Sequence, residues 1–557
     1  MRKFVGIILA VVGALLTVAG IIGIALIGSD DIVDSPASTL ALGDAKAVVS
    51  TPGLLAFKDT TLRVSASSSG GSVFIGRAHP VDAADYTNGA PTYAVTRVDA
   101  SGVQGKALKG DADATLADPA KQTFWTDQAA GTGTQTLELD LDGTPTTYVV
   151  MPTGKPGDIT LASGVKVSNG FALSIAAVVL GLVAIVSGIV LLRRRRTPDA
   201  DLPDGDSAAS PENAGGTATT DALVPGQPAQ SSRTMTRVAA LVAVGALVPT
   251  LSGCGMVPTK VEAWKSDSVT KQALTHDEAV AVMKDYDVRN NAAIKAAAAT
   301  HDTTPWAKAD ADAVLAADLF GTQLRRVRAV KEAPAVGTTV ANRTFSPAFG
   351  TYPMYALVST TETFGKGKPT ERLVAMRRDS VTAPWLKVGS APAPLKSLPA
   401  ARTEPAEAFT EAETKAITTA VNGLTSQINS GKGGPALPKE LVTTLNDSRT
   451  LGQYLRQATL TAGLWNSRAQ SPLAGDASIQ AARAAKGSVV LVEYLLNGTY
   501  LAKDGTVIEF TDKDFAAVTG QTGQRSSIRY RQALTIAMTL DETGKATVVG
   551  HSLSRLV

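Results

Sequence analysis

Residues 235–254 read MTRVAALVAVGALVPTLSGC. A basic residue, Arg237, precedes an apolar run from Val238 to Val248, and the run closes on Leu251, Ser252, Gly253 and Cys254. Val238 to Gly253 would form only ~24 Å of helix at ~1.5 Å per residue, against ~30 Å of hydrocarbon in a bilayer. Pro249 also interrupts the end of this run. That length and that proline suit the apolar stretch of a signal segment better than a third membrane span. Cys254 is the only cysteine in the 557 residues. The stretch therefore divides the chain into a first half that is bound to a membrane and a second half that it exports.

The tetrapeptide Leu251-Ser252-Gly253-Cys254 resembles the lipobox that bacterial lipoprotein signal peptidase cuts before cysteine. The peptidase must bring the scissile backbone close to its catalytic groups, so small residues have to precede the thiol that is acylated. Ser252 and Gly253 meet that need. Cys254 is accordingly the expected lipid-attachment site, with residues 235–253 as an internal lipoprotein signal or, failing cleavage, a third membrane segment.

Upstream, Phe4 to Ile27 carries no charge and is long enough for ~36 Å of helix. Arg2 and Lys3 stand before it and no small-residue cleavage site follows, so residues 1–28 read as an uncleaved anchor with its basic end inside. Phe171 to Leu192 is a second uncharged run, and Arg193, Arg194, Arg195 and Arg196 follow it at once. Four arginines beside a span mark the cytoplasmic side. Residues 171–196 are thus the second transmembrane helix with its arginine stop. Residues 197–234, rich in Pro, Gly, Ala, Ser, Thr and Asp, read as a disordered cytoplasmic linker.

Residues 29–170 then lie outside the cell. Short alternating runs such as TLRVSA (61–66), TYAVTRV (92–98), TQTLELDL (134–141) and TTYVVM (146–151) are divided by turn residues, which predicts an all-β extracytoplasmic domain, a sandwich or barrel. Asp140 to Gly143 reads as a hairpin turn. Phe124 and Trp125 read as core plugs. The segments GGSVFIGRAHPVDAADY, FWTDQAAGTGTQTLELDL and TYVVMPTGKPG resemble the extracytoplasmic module of a group of uncharacterised bacterial membrane proteins, in which the module is held between two membrane helices. The resemblance spans about residues 50–195 and implies a topology without an activity.

After Cys254 the composition turns globular. Thr275 and Glu278 fit a capping box opening a helix that runs to about Ala299, with Ala279, Val280, Met283, Tyr286 and Ala293 as its apolar side. A second helical stretch over 309–330 breaks near Gly321, and strand signals follow over 354–363, 371–377 and 384–388. The pattern restarts with helices over 410–428, 438–446 and 450–457, then strands over 488–496, 506–510, 529–540 and 546–553. Helices first and antiparallel strands after, twice over, predict two α+β domains, 254–400 and 401–557. The helix EAVAVMKDYDVRNNAAIKAA, the strands YALVSTTETF and ERLVAMRRDSVTAPWLKV, and VVLVEYLLNGTYLAKDGTVIEFT resemble an uncharacterised family of bacterial lipoproteins. The ectodomain of that family is a pair of cone-shaped domains like those of nuclear transport factor 2. The whole therefore reads as a multidomain membrane protein.

Charge is unevenly spread. The chain has a net charge of +3, but residues 30–170 carry 10 basic and 16 acidic groups, whereas the chain from Cys254 onward carries 35 basic and 28 acidic. Opposite surface fields on one side of a membrane raise encounter rates, so a weak, salt-sensitive contact between the two ectodomains is expected. The basic half would otherwise lean on membrane lipid, an anionic envelope polymer or an envelope protein. Its Lys and Arg are scattered rather than clustered, which argues against nucleic acid.

No Gly-x-Ser-x-Gly elbow, His-Glu-x-x-His motif or phosphate loop occurs. His79, His276, His301 and His551 are too dispersed to form a metal site, and a lone cysteine excludes Cys-rich zinc or iron–sulfur centres. No cofactor is expected. Tyr286 and Asp287 are the candidate acid–base groups, should a cone pocket exist. The sequence favours a non-enzymatic envelope protein with a binding or scaffolding role. The alternatives are a lipoprotein whose cone pocket binds or transforms a small apolar ligand, and a fusion of two independent envelope proteins, since Met235 could itself start a lipoprotein precursor.

Overall fold

A computed structural model describes residues 2–99, 101–193, 259–260, 269–330, 335–403, 408–465, 478–509, 512–520 and 523–556. Arg194, Arg195, Arg196, the linker, segment 235–253 with Leu251, Ser252 and Gly253, and Cys254 lie outside the described residues. The chain forms two contact units. The first holds residues up to Arg77, Pro91–Ala112 and the described residues from Trp125 to Lys260. The second holds Ala78–Ala90, Asp113–Phe124 and the described residues from Val269 onward.

In chain order the first part of the molecule comprises α1 (Arg2–Ile27), β1 (Ile32–Asp34), β2 (Ser38–Leu40), β3 (Ala47–Ser50), β4 (Phe57–Ser68), β5 (Ser72–Ala78), α2 (Pro80–Tyr86), β6 (Thr92–Asp99), β7 (Gly102–Leu108), β8 (Asp127–Thr132), β9 (Gln135–Asp142), β10 (Thr147–Pro152), β11 (Ile159–Lys166), α3 (Gly170–Arg193) and β12 (Thr259–Lys260). One six-stranded sheet runs β1-β11-β4-β12, with β2 on β11 and β9 on β4, and a second runs β7-β6-β3-β10-β5-β8. Val64, Leu139, Ile159 and Leu161 of the first sheet meet Val48, Val95, Tyr148 and Val150 of the second in one buried cluster. Alternation therefore does produce two sheets facing each other across a core, at ~1.5–3 kcal/mol for each large apolar side chain withdrawn from water. Trp125 is buried with its ring 5.2 Å from that of Phe74, and a Cβ at Gly76 would reach both rings at 2.6 Å.

Asp140 to Gly143 does not close a hairpin. β9 pairs with β4, whereas β10 pairs with β3 of the other sheet, so this turn carries the chain between sheets. Asp142 accepts from the Thr144 amide at 2.9 Å and hydroxyl at 2.7 Å. That local bond suits a tight turn of either destination.

α1 and α3 are long and apolar enough to cross a membrane. Gly6, Gly13 and Gly20 of α1 lie against Gly188, Gly181 and Ser174 of α3 in that order, so the two helices run in opposite directions. A Cβ at Gly13 would come within 2.6 Å of the Gly181 carbonyl oxygen and 2.8 Å of the Ile185 amide. Close approach through small residues is how apolar helices associate where no hydrophobic force acts between them. At the sheet end of the pair Asp31 accepts from the Phe171 amide at 2.8 Å, capping α3, while its carbonyl accepts from the Val167 amide at 2.7 Å. Arg63 pairs with Asp30 beside this junction, at 2.6 Å.

The second unit continues with β13 (Lys271–Gln272), α4 (His276–Thr300), α5 (Asp312–Val327), β14 (Gly337–Phe345), β15 (Ala348–Phe349), β16 (Met354–Phe364), β17 (Thr370–Arg378) and β18 (Leu386–Pro392). Then come α6 (Glu411–Ser430), α7 (Lys439–Asp447), β19 (Leu455–Leu464), β20 (Ile479–Arg483), β21 (Ser488–Ala502), β22 (Ile508–Glu509), α8 (Lys513–Thr519), β23 (Gln524–Arg525), β24 (Ser527–Leu540) and β25 (Ala546–Arg555). α4 and α6 both open on complete capping boxes, Thr275 with Glu278 and Thr410 with Glu413. α4 ends on left-handed His301 and α6 on left-handed Gly431. Antiparallel sheets β14-β16-β17-β18 and β19-β21-β24-β25, the latter with β20 on β21, follow the helices. Phe345, Leu357, Leu373 and Val388 from the first sheet share a core with Ala482, Val489, Leu491 and Ala537 from the second.

Three local expectations are corrected. α5 runs unbroken through Gly321, where the ~1 kcal/mol penalty of a helical glycine is borne beside buried Phe320 and Thr322. The run 450–457 is not helical: Leu455 onward is β19, paired with β21. Val280 is exposed, since the buried face of α4 follows Ala279, Met283, Tyr286, Asn290, Ala293 and Ala297.

Candidate functional site

α4 brings Tyr286 and Asp287 to opposite fates. Tyr286 is buried and its hydroxyl donates to Asp310 Oδ1 at 3.0 Å. Asp287 is half-buried, and its carboxylate accepts from the Thr339 amide and hydroxyl, each at 2.7 Å. Burial pushes Asp287 above the usual carboxylate range, although the Thr339 bonds oppose the shift. It ties α4 to β14 and does not join the Tyr286 cluster through a hydrogen bond.

Four residues distant in sequence complete the surroundings of Tyr286. Asp310 precedes α5, Asp318 comes from α5, Glu362 from β16 and Lys387 from β18. Lys387 Nζ lies 2.6 Å from Glu362 Oε1 and 5.4 Å from the centre of the Tyr286 ring. Arg372 of β17 approaches Glu362 at 3.6 Å while donating to Ser390 at 2.7 Å. Asp310 and Lys387 are also held through backbone, the Ala311 amide donating to the Lys387 carbonyl and the Lys387 amide to that of Ala309. Asp310, Glu362, Tyr286 and Lys387 are all buried.

The electrostatics sort these groups. Burial alone would raise Glu362, but Lys387 and Arg372 outweigh it and hold the carboxyl below its ordinary range. Burial and then the Asp310 charge push Tyr286 well up, so it remains a neutral donor. Asp310 and Asp318 form a coupled carboxyl pair. Burial raises both, and the charge of Asp310 adds to the rise at Asp318, whereas Lys387 and the Tyr286 hydroxyl favour the ionised form of Asp310. Burial and the charge of Asp310 together favour the protonated form of Asp318. Such a pair could exchange a proton with a substrate that reached it. The cluster is enclosed by α4, α5 and the sheet, however, and its contacts pair buried charge with buried charge.

Segment 78–90 contributes a second polar cluster to the same unit. Asp82 of α2 is buried, accepts from Lys271 Nζ at 2.7 Å and from the Tyr352 hydroxyl at 2.8 Å. Asp85 accepts from the Val381 amide at 2.7 Å. His79 caps α2 by accepting from the Val81 amide, and burial lowers it to about 4. Tyr86 packs against Phe124 at 5.4 Å and donates to the Ala117 carbonyl.

Among the described residues no group of His, Cys, Asp and Glu could hold a metal ion. His276 begins α4 and lies 3.3 Å from the Thr344 hydroxyl, His301 ends that helix, and His551 sits on β25. The glycine-lysine runs at 365–368 and 431–434 are turns, after β16 and α6 respectively. A groove of about 1020 Å³ between α6 and the β24–β25 turn is lined mainly by small residues, with Lys415 and Lys545 its charged members. No family model, curated protein or solved structure matches the chain.

Proposed function

We propose that the chain is a cell-envelope membrane protein and lipoprotein with a binding or scaffolding role outside the cell. The observation that carries the reading is the antiparallel pairing of α1 with α3 through Gly6, Gly13, Gly20, Gly181 and Gly188. This arrangement puts the basic ends, Arg2-Lys3 and Arg193, on one side and the sandwich on the other, as a two-span protein with its basic flanks inside requires. Residues 254–557 follow to the outside through Cys254, and the resemblance to membrane lipoproteins with paired cone domains agrees with that placement. Inside the first α+β half Lys387 is paired with Glu362 and Tyr286 with Asp310, which favours binding over catalysis.

The expected association of residues 29–170 with the lipoprotein half draws support from His79, Asp82 and Asp85, which serve the hydrogen-bonding of the second unit. A partly buried pair such as Asp82 with Lys271 is screened by salt less than an exposed one, so the association is proposed as tighter and less salt-sensitive than net charge alone implies. The reading of an acid–base enzyme keeps one supporting observation, buried Asp310 accepting from the Tyr286 hydroxyl at 3.0 Å.

Mass spectrometry of the membrane fraction tests the reading. The expected product is an acylated peptide beginning at Cys254, lost in Cys254→Ala, with the upstream fragment also in the membrane. A single uncut, unacylated chain would reject the lipoprotein assignment, and a chain released from membranes by alkaline carbonate would reject the membrane assignment.

A further inference from the structure

The sandwich of the first unit is not filled to its end. A cavity of about 480 Å³, within the ~300–1,000 Å³ typical of ligand pockets, opens between the sheets and is lined by Leu54, Leu55, Phe57, Leu62, Val98, Leu141 and Val165 among others. Leu55 and Leu141 form its depth, whereas Leu54, Phe57, Leu62, Val98 and Val165 remain half-buried around the opening. Apolar side chains that converge on an unfilled space leave surface in contact with water that a filled core would cover.

The polar members of the lining are Thr51 and Thr60, both half-buried, Thr96 and Arg97, both exposed at the rim, and two groups inside it. Tyr148 of β10 is fully buried and Ser163 of β11 is 4% exposed. Both line the cavity, and neither hydroxyl makes an aligned hydrogen bond, although they are close enough for Ser163 to oppose the rise that burial imposes on the Tyr148 pKa. A buried hydroxyl without a partner is costly and uncommon. One acceptor oxygen placed at this end of the cavity would satisfy both.

The position of the cavity narrows the ligand. Val165 pairs with Leu62 across β11 and β4, and Gly170, where α3 begins, is only five positions after Val165. At ~3.3 Å per residue the opening is no more than ~17 Å of chain from the membrane-length helix. Resting on the membrane reading above, we propose that this cavity takes a single fatty-acyl chain from the bilayer, its carboxyl or ester oxygen accepting from Tyr148 Oη and Ser163 Oγ and its methylenes lying among Leu54, Phe57, Leu62, Val98 and Val165.

The test uses the full chain reconstituted in phosphatidylglycerol vesicles with a trace of diazirine-bearing palmitic acid or, in a second arm, diazirine-acyl phosphatidylglycerol. After illumination, labelled peptides are mapped by mass spectrometry. The expected result is label on residues 54–62 and 98 in addition to α1 and α3. Val98→Trp and Thr60→Trp, which fill the opening, should abolish the sandwich label and leave the helix label unchanged, showing that the variants fold and insert. Tyr148→Phe should weaken it roughly two- to tenfold, the range of one hydrogen bond. Label in the palmitic acid arm alone assigns a free acid, and label in both arms assigns an acyl lipid. Label on α1 and α3 with none in the sandwich, or sandwich label indifferent to the tryptophan variants, overturns the proposal. Label on neither the helices nor the sandwich instead overturns the membrane reading beneath it.

Discussion

Glu493 lies in the middle of β21 with its carboxyl fully buried and neither oxygen hydrogen-bonded. Gly389 lies against it, and a Cβ added there would come within 2.3 Å of Glu493 Oε1. Arg377, the cation whose charge acts on it, is already engaged by Asp312 and by Asp379 at 2.8 Å. Burial first, and then the Asp312 charge, push the Glu493 pKa well above its ordinary value, against the pull of Arg377. A raised folded pKa means that the folded state binds the proton more tightly than the unfolded chain. The stabilisation is complete below the unfolded pKa of 4.5 and is lost as pH rises through the folded value, at up to ~1.4 kcal/mol per pH unit. Glu493→Gln keeps the shape without the titration, so it should match the wild type at acid pH and exceed it progressively toward alkaline pH. Glu493→Leu removes the unsatisfied oxygens altogether and should be more stable by ~1–3 kcal/mol. Urea unfolding of the full chain in detergent, read by pulse proteolysis at pH 5 and pH 8, measures both effects. A cost of ~3–5 kcal/mol for Glu493→Gln at every pH would show an ionised carboxylate held by Arg377, and would refute the reasoning.

Two further perturbations probe the other unit and the acid limb. Gly13→Leu places atoms on the Gly181 backbone and should lower the thermal stability of the detergent-solubilised chain by ~1–2 kcal/mol, whereas Val11→Leu at an exposed position of α1 should leave it unchanged. His79, lowered by burial from 6.5 to about 4, contributes stability that is present above pH 6.5 and lost as pH falls through about 4, up to ~3 kcal/mol. His79→Asn retains a capping side chain and should flatten that acid limb in urea titrations of the full chain. An unchanged limb would assign the acid loss to other groups.

How much of this was legible depended on the range of the interactions. α1 and α3 follow from uncharged runs, and α4 and α6 from local caps and period, because each signal fits within a few turns of chain. The second α+β half repeats the helix-then-strand order of the first for the same reason. Sheet partners were not legible: nothing around Asp140 to Gly143 tells whether the next strand joins the same sheet or the facing one. β19 defeats a helical reading because pairing with β21 outweighs local preference. α2 carried a usable signal, Pro80 in its first turn with Asp82 after it. Tyr286 and Asp287 were adjacent candidates, yet only Tyr286 meets the ionic cluster, whose other members come from α5, β16, β18 and the approach to α5. Their meeting depends on tertiary packing, as does that of Tyr148 with Ser163. Glu493 could have been singled out, being the lone charge in the run VVLVEYLL.

The account rests most directly on the placement of the sandwich and the 197–234 stretch on opposite faces of one membrane. In a Cys254→Ser background, Thr144→Cys at an exposed turn and Ser207→Cys in the acidic stretch can each be treated with a membrane-impermeant maleimide on intact spheroplasts. The account predicts labelling of the position-144 variant before lysis and of the position-207 variant only after lysis. Labelling of the position-207 variant in intact spheroplasts, with position 144 protected, would contradict it.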